Sequence, residues 1–85
     1  MSKVVIYTKD NCPYCVRAKR TFENLNIQYQ ELKIGVDVTR EQLLEACPNA
    51  RTAPQIVIDN TVIGGYEQLA AYIENTGWNG TGYTL

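Results

Sequence analysis

Residues 9–19 read Lys-Asp-Asn-Cys-Pro-Tyr-Cys-Val-Arg-Ala-Lys (KDNCPYCVRAK), and two of the chain's three cysteines, Cys12 and Cys15, stand there with only two residues between them. Before this stretch, Val4-Val5-Ile6-Tyr7 is a short β-prone run that reads as a buried strand. Pro13 suits the first turn of a helix, and Cys15, Ala18, Phe22 and Leu25 then recur at helical spacing between charged residues. The pattern predicts a helix of about three turns with Cys12 at its N-terminal end.

Working outward, residues 27–34 (IQYQELKI) alternate apolar and polar side chains, the signature of a half-buried second strand. Thr39-Arg40-Glu41-Gln42 has the form of a capping box, and Leu43, Ala46 and Cys47 make an apolar stripe on a second helix that Pro48 stops. Residues 55–58 and 61–63 flank the turn-prone Asp59-Asn60 and read as a hairpin. Gly64-Gly65 ends the hairpin, and Leu69, Tyr72 and Ile73 mark a third helix from about Tyr66 to near Gly77. The order βαβαββα implies an α/β fold, a small mixed sheet flanked by helices, as one domain over residues 1–76. Residues 77–85 (GWNGTGYTL) read as a glycine-rich C-terminal tail from which Trp78 and Tyr83 can pack back on the body.

At 85 residues the chain holds one modest core. Eight basic and nine acidic residues give a net charge of −1, which offers no broad field for nucleic acid or an anionic membrane. The N-terminal MSKVVIYTKD becomes charged again after four apolar residues, too soon for a signal-peptide core, and no apolar run is long enough to span a membrane. The expected location is the cytoplasm, where a close cysteine pair is more often catalytic or metal-binding than a permanent cross-link.

The reacting form of cysteine is the thiolate, so a redox site holds one sulfur ionised near neutral pH and keeps it accessible. A helix N-terminus supplies unpaired backbone N–H groups and the positive end of the helix dipole, and Lys9 adds positive charge near Cys12. Cys15 lies one turn on, near enough for a disulfide, with its sulfur toward the body of the protein, where it can resolve a mixed disulfide. Two other readings remain at this point. A structural zinc site usually takes four Cys or His ligands, whereas this chain has three cysteines and no histidine. An inert buried pair is disfavoured by the position directly after a strand and at a helix start.

With CPYC, TAPQI and IGGY in this order, the sequence resembles the glutaredoxins, in their dithiol class. The resemblance covers about residues 3–75 and implies a thioredoxin fold with a four-stranded mixed sheet and three helices. It further implies glutathione-dependent thiol–disulfide exchange in which Cys12 attacks and Cys15 resolves. Glutathione is then a co-substrate, with no tightly bound cofactor and no metal. The expected partners are disulfide-containing proteins, ribonucleotide reductase among them, and the expected state is a monomer. The rival reading is a glutathione-assisted [2Fe-2S] carrier, against which Pro13 argues because that role usually goes with a CGFS-type site.

The same resemblance assigns the glutathione site. Thr52-Ala53-Pro54 would present a cis-proline loop facing the cysteines, with the Ala53 backbone pairing with the ligand's cysteinyl unit. Gly65 and Tyr66, opening the third helix, would hold the γ-glutamyl carboxylate, and helix N-termini bind anions for general reasons. Lys9 and Arg51 would meet the glycyl carboxylate, with Arg40 and Gln42 as further candidates, and Tyr14 and Tyr66 would flank the sulfur. Glu67 and Gln68 stand where common members carry Ser, Thr or Asp followed by Asp. The expectation is that Gln68 offers the ligand's ammonium a neutral amide oxygen in place of a carboxylate. Cys47, on the apolar stripe, is expected to be structural.

Overall fold

A computed structural model describes residues 3–78. The elements are β1 (Val4–Thr8), α1 (Pro13–Asn24), β2 (Gln30–Lys33), α2 (Arg40–Ala46), β3 (Gln55–Ile58), β4 (Thr61–Gly64) and α3 (Tyr66–Thr76). The four strands form one sheet in the order β2-β1-β3-β4. β1 runs parallel to β2, as a strand–helix–strand crossover requires, and antiparallel to β3, which pairs antiparallel with β4. This four-stranded mixed sheet with three helices is a thioredoxin fold. Among these residues no helix is long and apolar enough to cross a membrane.

Local chemistry sets the element ends. Asp59 and Asn60 both take positive φ, 51° and 66°, the left-handed pair that a two-residue hairpin turn requires. Thr39 Oγ1 accepts the Gln42 N–H at 3.1 Å while Gln42 Oε1 accepts the Thr39 N–H at 2.8 Å, closing the capping box at the start of α2. α1 ends where Asn26 turns to φ 57° and the Ile27 N–H reaches back to the Phe22 carbonyl.

This ending corrects two expectations. Leu25 lies past the end of α1 and is exposed, whereas Ile27 folds under the helix into the core and is not the first residue of a strand. β2 therefore starts only at Gln30. A third correction concerns α2, whose short helix buries Leu43 and brings Cys47 inward at its C-cap but leaves Ala46 exposed.

The core gathers Val4 and Ile6 from β1, Ile56 and Ile58 from β3, Ala18 and Phe22 from α1, and Leu69 from α3. Phe22 is completely buried, with Tyr29 at a ring-centroid distance of 5.7 Å and Trp78 edge-on at 6.2 Å. Trp78 also meets Tyr72, so this tail residue packs back on the body. Tyr83 lies outside the described residues.

Cys47 is 1% exposed, and burial pushes its thiol pKa up, away from the reactive thiolate. Cys47→Ala is expected to leave turnover nearly unchanged and to cost about 1 to 3 kcal/mol, as loss of a small buried apolar side chain does. Turnover and urea unfolding of the same variant check this; lost activity in a folded protein would show that Cys47 takes part in the chemistry.

Candidate active site

Asn11, at φ 53°, turns the chain from β1 into α1 and leaves Cys12 as the helix N-cap in extended geometry. Pro13 follows in the first turn, where a missing N–H is harmless. Cys12 Sγ accepts the Cys15 N–H at 3.1 Å, so one orphan donor of the helix start points straight at the sulfur. The two cysteines are joined as a disulfide with their Cα atoms 5.2 Å apart. Cys15 is 2% exposed and Cys12 8%, so the attacking sulfur is less open than the sequence suggested. The Thr52–Pro54 loop lies beside it.

That loop contains a cis Ala53–Pro54 bond and sets the Ala53 carbonyl oxygen 3.5 Å from Cys12 Sγ. Gln55, at the start of β3 and 7% exposed, donates from Nε2 to the Thr52 carbonyl at 2.8 Å and ties the loop to the sheet. The Ala53 N–H meets no protein acceptor among the described residues, which leaves it open to a peptide-like ligand beside the sulfur.

A groove of about 480 Å³ starts at Cys12 and runs between the Thr52–Pro54 loop and the first turn of α3. Tyr14 and Tyr66 flank it with ring centroids 6.0 Å apart, and the Arg17 guanidinium lies 5.4 Å from the Tyr14 ring centroid. At the far end Gly64 takes φ 118°, a conformation that side chains rarely adopt, and Gly65 caps α3 without a side chain. Gln68 Oε1 accepts the Gly65 N–H at 3.0 Å. The oxygen expected to face a ligand's ammonium is thus also part of the capping box at the start of α3.

On the other flank of Cys12 lies a second cleft of about 520 Å³ that also reaches Cys15. Glu31 from β2 stands in it, accepting the hydroxyl of the buried Thr8 at 2.7 Å and pairing with Lys19 at 3.2 Å. The Thr8 hydrogen bond, followed by that of Lys19, holds the Glu31 carboxyl below its ordinary range. Lys33 pairs with Asp10 at the rim.

Lys9, Tyr14, Thr52, Ala53, Pro54, Gly65, Tyr66, Glu67 and Gln68 therefore converge on one groove with Cys12. Arg51 does not line it; with Arg40 it borders an adjoining hollow that shares Lys9, Thr52 and Ala53 with the groove. Gln42 lines neither, since its side chain closes the capping box. Sequence reading missed Asn11 and Pro13 as groove residues, although both adjoin Cys12. It also missed Gln55, whose bond to a carbonyl three residues back leaves no trace in polarity or spacing.

A vicinal cysteine pair at a helix N-cap, faced by a cis-proline loop on a thioredoxin fold, defines a thiol–disulfide oxidoreductase. The sequence model of the family described as Glutaredoxin matches residues 4–63, and this chain belongs to that family. It is 39% identical to glutaredoxin 3 of Escherichia coli K12 over 71 residues, which span 84% of this chain and 86% of that one. Among solved structures, glutaredoxin 1 of Francisella tularensis complexed with cacodylate superposes with a TM-score of 0.75 at 36% identity, covering 88% of this chain and 95% of that one. A buckwheat glutaredoxin–glutathione complex superposes with a TM-score of 0.69 at 28% identity, covering 87% and 70%.

Proposed function

We propose that the protein is a glutathione-dependent thiol–disulfide oxidoreductase of the cytoplasm, acting as a monomer on protein disulfides and on glutathione mixed disulfides. The observation that carries this is the groove running from Cys12 to the α3 N-terminus past the open Ala53 backbone. It suits a short peptide whose central cysteinyl sulfur meets Cys12 while one of its carboxylates reaches the start of α3. Cys12 thiolate attacks a substrate sulfur and expels the other as thiolate. Cys15 thiolate then attacks Cys12 Sγ, closes the disulfide and releases the second thiol, so two electrons pass to substrate. Two glutathione molecules return them and leave as glutathione disulfide.

In the bound state Ala53 pairs with the cysteinyl backbone, Lys9 and Arg51 draw the glycyl carboxylate, and the α3 N–H groups take the γ-glutamyl carboxylate. Family resemblance adds ribonucleotide reductase as a client. The test is reduction of a hydroxyethyl–glutathione mixed disulfide, coupled through glutathione reductase to NADPH oxidation. Turnover should saturate in the mixed disulfide and require glutathione. Equal turnover of a cysteine mixed disulfide, with cysteine as reductant, would reject the glutathione reading.

A further inference from the structure

The cleft on the other flank of Cys12 plays no part in the groove, yet it reaches both cysteines. The register of β2 on β1 pairs Glu31 with Ile6, which packs with Ala18 and Phe22 of α1, so Glu31 rises from the sheet on the α1 side. The buried Thr8 hydroxyl donates to Glu31 Oε2 at 2.7 Å and anchors the carboxylate. Lys19 follows Cys15 by four residues in α1 and stands one turn beyond it, and its ammonium pairs with the same carboxylate oxygen at 3.2 Å. The side chains of this pair are 29% and 34% exposed, so its charges are less screened than those of Lys33 and Asp10 at the rim, 37% and 75% exposed. Lys9 completes the charges on the cleft, and it borders the groove as well. A partly exposed ion pair contributes little to stability. Its two charges share one cleft with Cys15.

We propose that the Glu31–Lys19 pair governs the second chemical step, the attack by Cys15: the carboxylate opposes loss of the Cys15 proton, the ammonium favours it, and the pair holds the two in balance. Neither side chain touches substrate; both are positioning residues that act through the Cys15 sulfur. In that step the Cys15 S–H gives its proton to water and the thiolate attacks Cys12 Sγ. The Cys12–Cys15 bond forms, and the mixed-disulfide bond breaks with its electron pair leaving on the substrate sulfur. The Cys15 sulfur belongs to a residue 2% exposed, where a net negative charge alongside hinders ionisation and a net positive charge helps it. The Thr8 hydrogen bond first, then that of Lys19, keeps the Glu31 carboxyl below its ordinary range, so the carboxylate is ionised wherever thiols titrate. The inference rests on the reading that Cys12 attacks and Cys15 resolves, and it does not depend on glutathione.

Rapid mixing of the reduced full chain with dipyridyl disulfide across a pH series tests it, because Cys12 releases the first thiopyridone and Cys15 the second in a single trace. Lys19→Met leaves the carboxylate unbalanced and should move the half-point of the second release up by about one pH unit. Below that half-point the thiolate fraction falls about tenfold while the more basic sulfur regains about threefold in nucleophilicity, so the second release slows about threefold. Glu31→Gln still accepts the Thr8 hydroxyl. It should move the half-point down by about one unit and make the second release about threefold faster below it. The double variant, neutral at both positions, should return to within about twofold of the parent chain. A general loosening of the fold would slow the second release in every variant and cannot produce opposed shifts. Shifts of one sign in both single variants, no shift in either, or a double variant further from the parent than both would overturn the proposal while leaving the exchange reading in place. A parent chain that releases a single thiopyridone would remove both.

Discussion

Cys12→Ser is expected to abolish thiol–disulfide exchange on every substrate, a loss of at least about 10³-fold, whereas Cys15→Ser should retain reduction of glutathione mixed disulfides and lose reduction of protein disulfides. The asymmetry follows from position. Cys12 caps α1, its sulfur receives the Cys15 N–H, and it stands at the head of the groove. Cys15 is 2% exposed and reaches a substrate only through Cys12. A hydroxyl at position 12 is not ionised near neutral pH and makes no mixed disulfide. Removing Cys15 leaves the first attack intact, and a second glutathione can complete a glutathione mixed disulfide. A protein disulfide instead needs the internal thiol to release the trapped client. Assays of both variants on both substrate types decide it; full activity of Cys12→Ser with none for Cys15→Ser would reverse the roles.

Phe22→Ala should be the most damaging substitution away from the cysteines. The ring is wholly buried in the core cluster, against Tyr29 and Trp78. Truncation of such a residue costs about 3 to 5 kcal/mol, a large share of the roughly 5 to 15 kcal/mol that holds a small domain together. The melting temperature, followed by circular dichroism, should fall by on the order of 20 °C. Val36→Ala, at a side chain 73% exposed, serves as the contrast and should change stability by less than about 0.5 kcal/mol. Comparable losses in the two variants would contradict the placement of the core.

Much of this architecture could be read from residue order. The Thr39 and Gln42 pair, the Asp59-Asn60 turn and the proline after Cys12 are local signals, and each formed what local physics requires. The misreadings lie where two local solutions compete. Leu25 and Ile27 both fit an apolar stripe, and the left-handed Asn26 decided which entered the core. Ala46 matched its helix period, but at the last residue of the seven-residue α2 it stays exposed, at the edge of a hollow lined by Val5, Tyr7 and Leu32 of the sheet. The groove was legible as a set of residues because motif order brings distant segments together. The orientation of Gln68 was not, since a carboxamide carries donor and acceptor on one side chain and only the Gly65 N–H chooses between them. The ionic arrangement of Glu31, Thr8 and Lys19 joins three elements and has no sequence periodicity at all.

Trp78, the chain's single tryptophan, is 3% exposed and stands edge-on to Phe22 in the core, and it does not line the groove. The molecule thus carries one indole chromophore whose emission reports solvent entry into the core. Tyr14 and Tyr66, beside the sulfur, absorb and emit at shorter wavelength. Selective excitation of the indole therefore follows loosening of the body in the unmodified protein without a label, apart from the two tyrosines that flank Cys12.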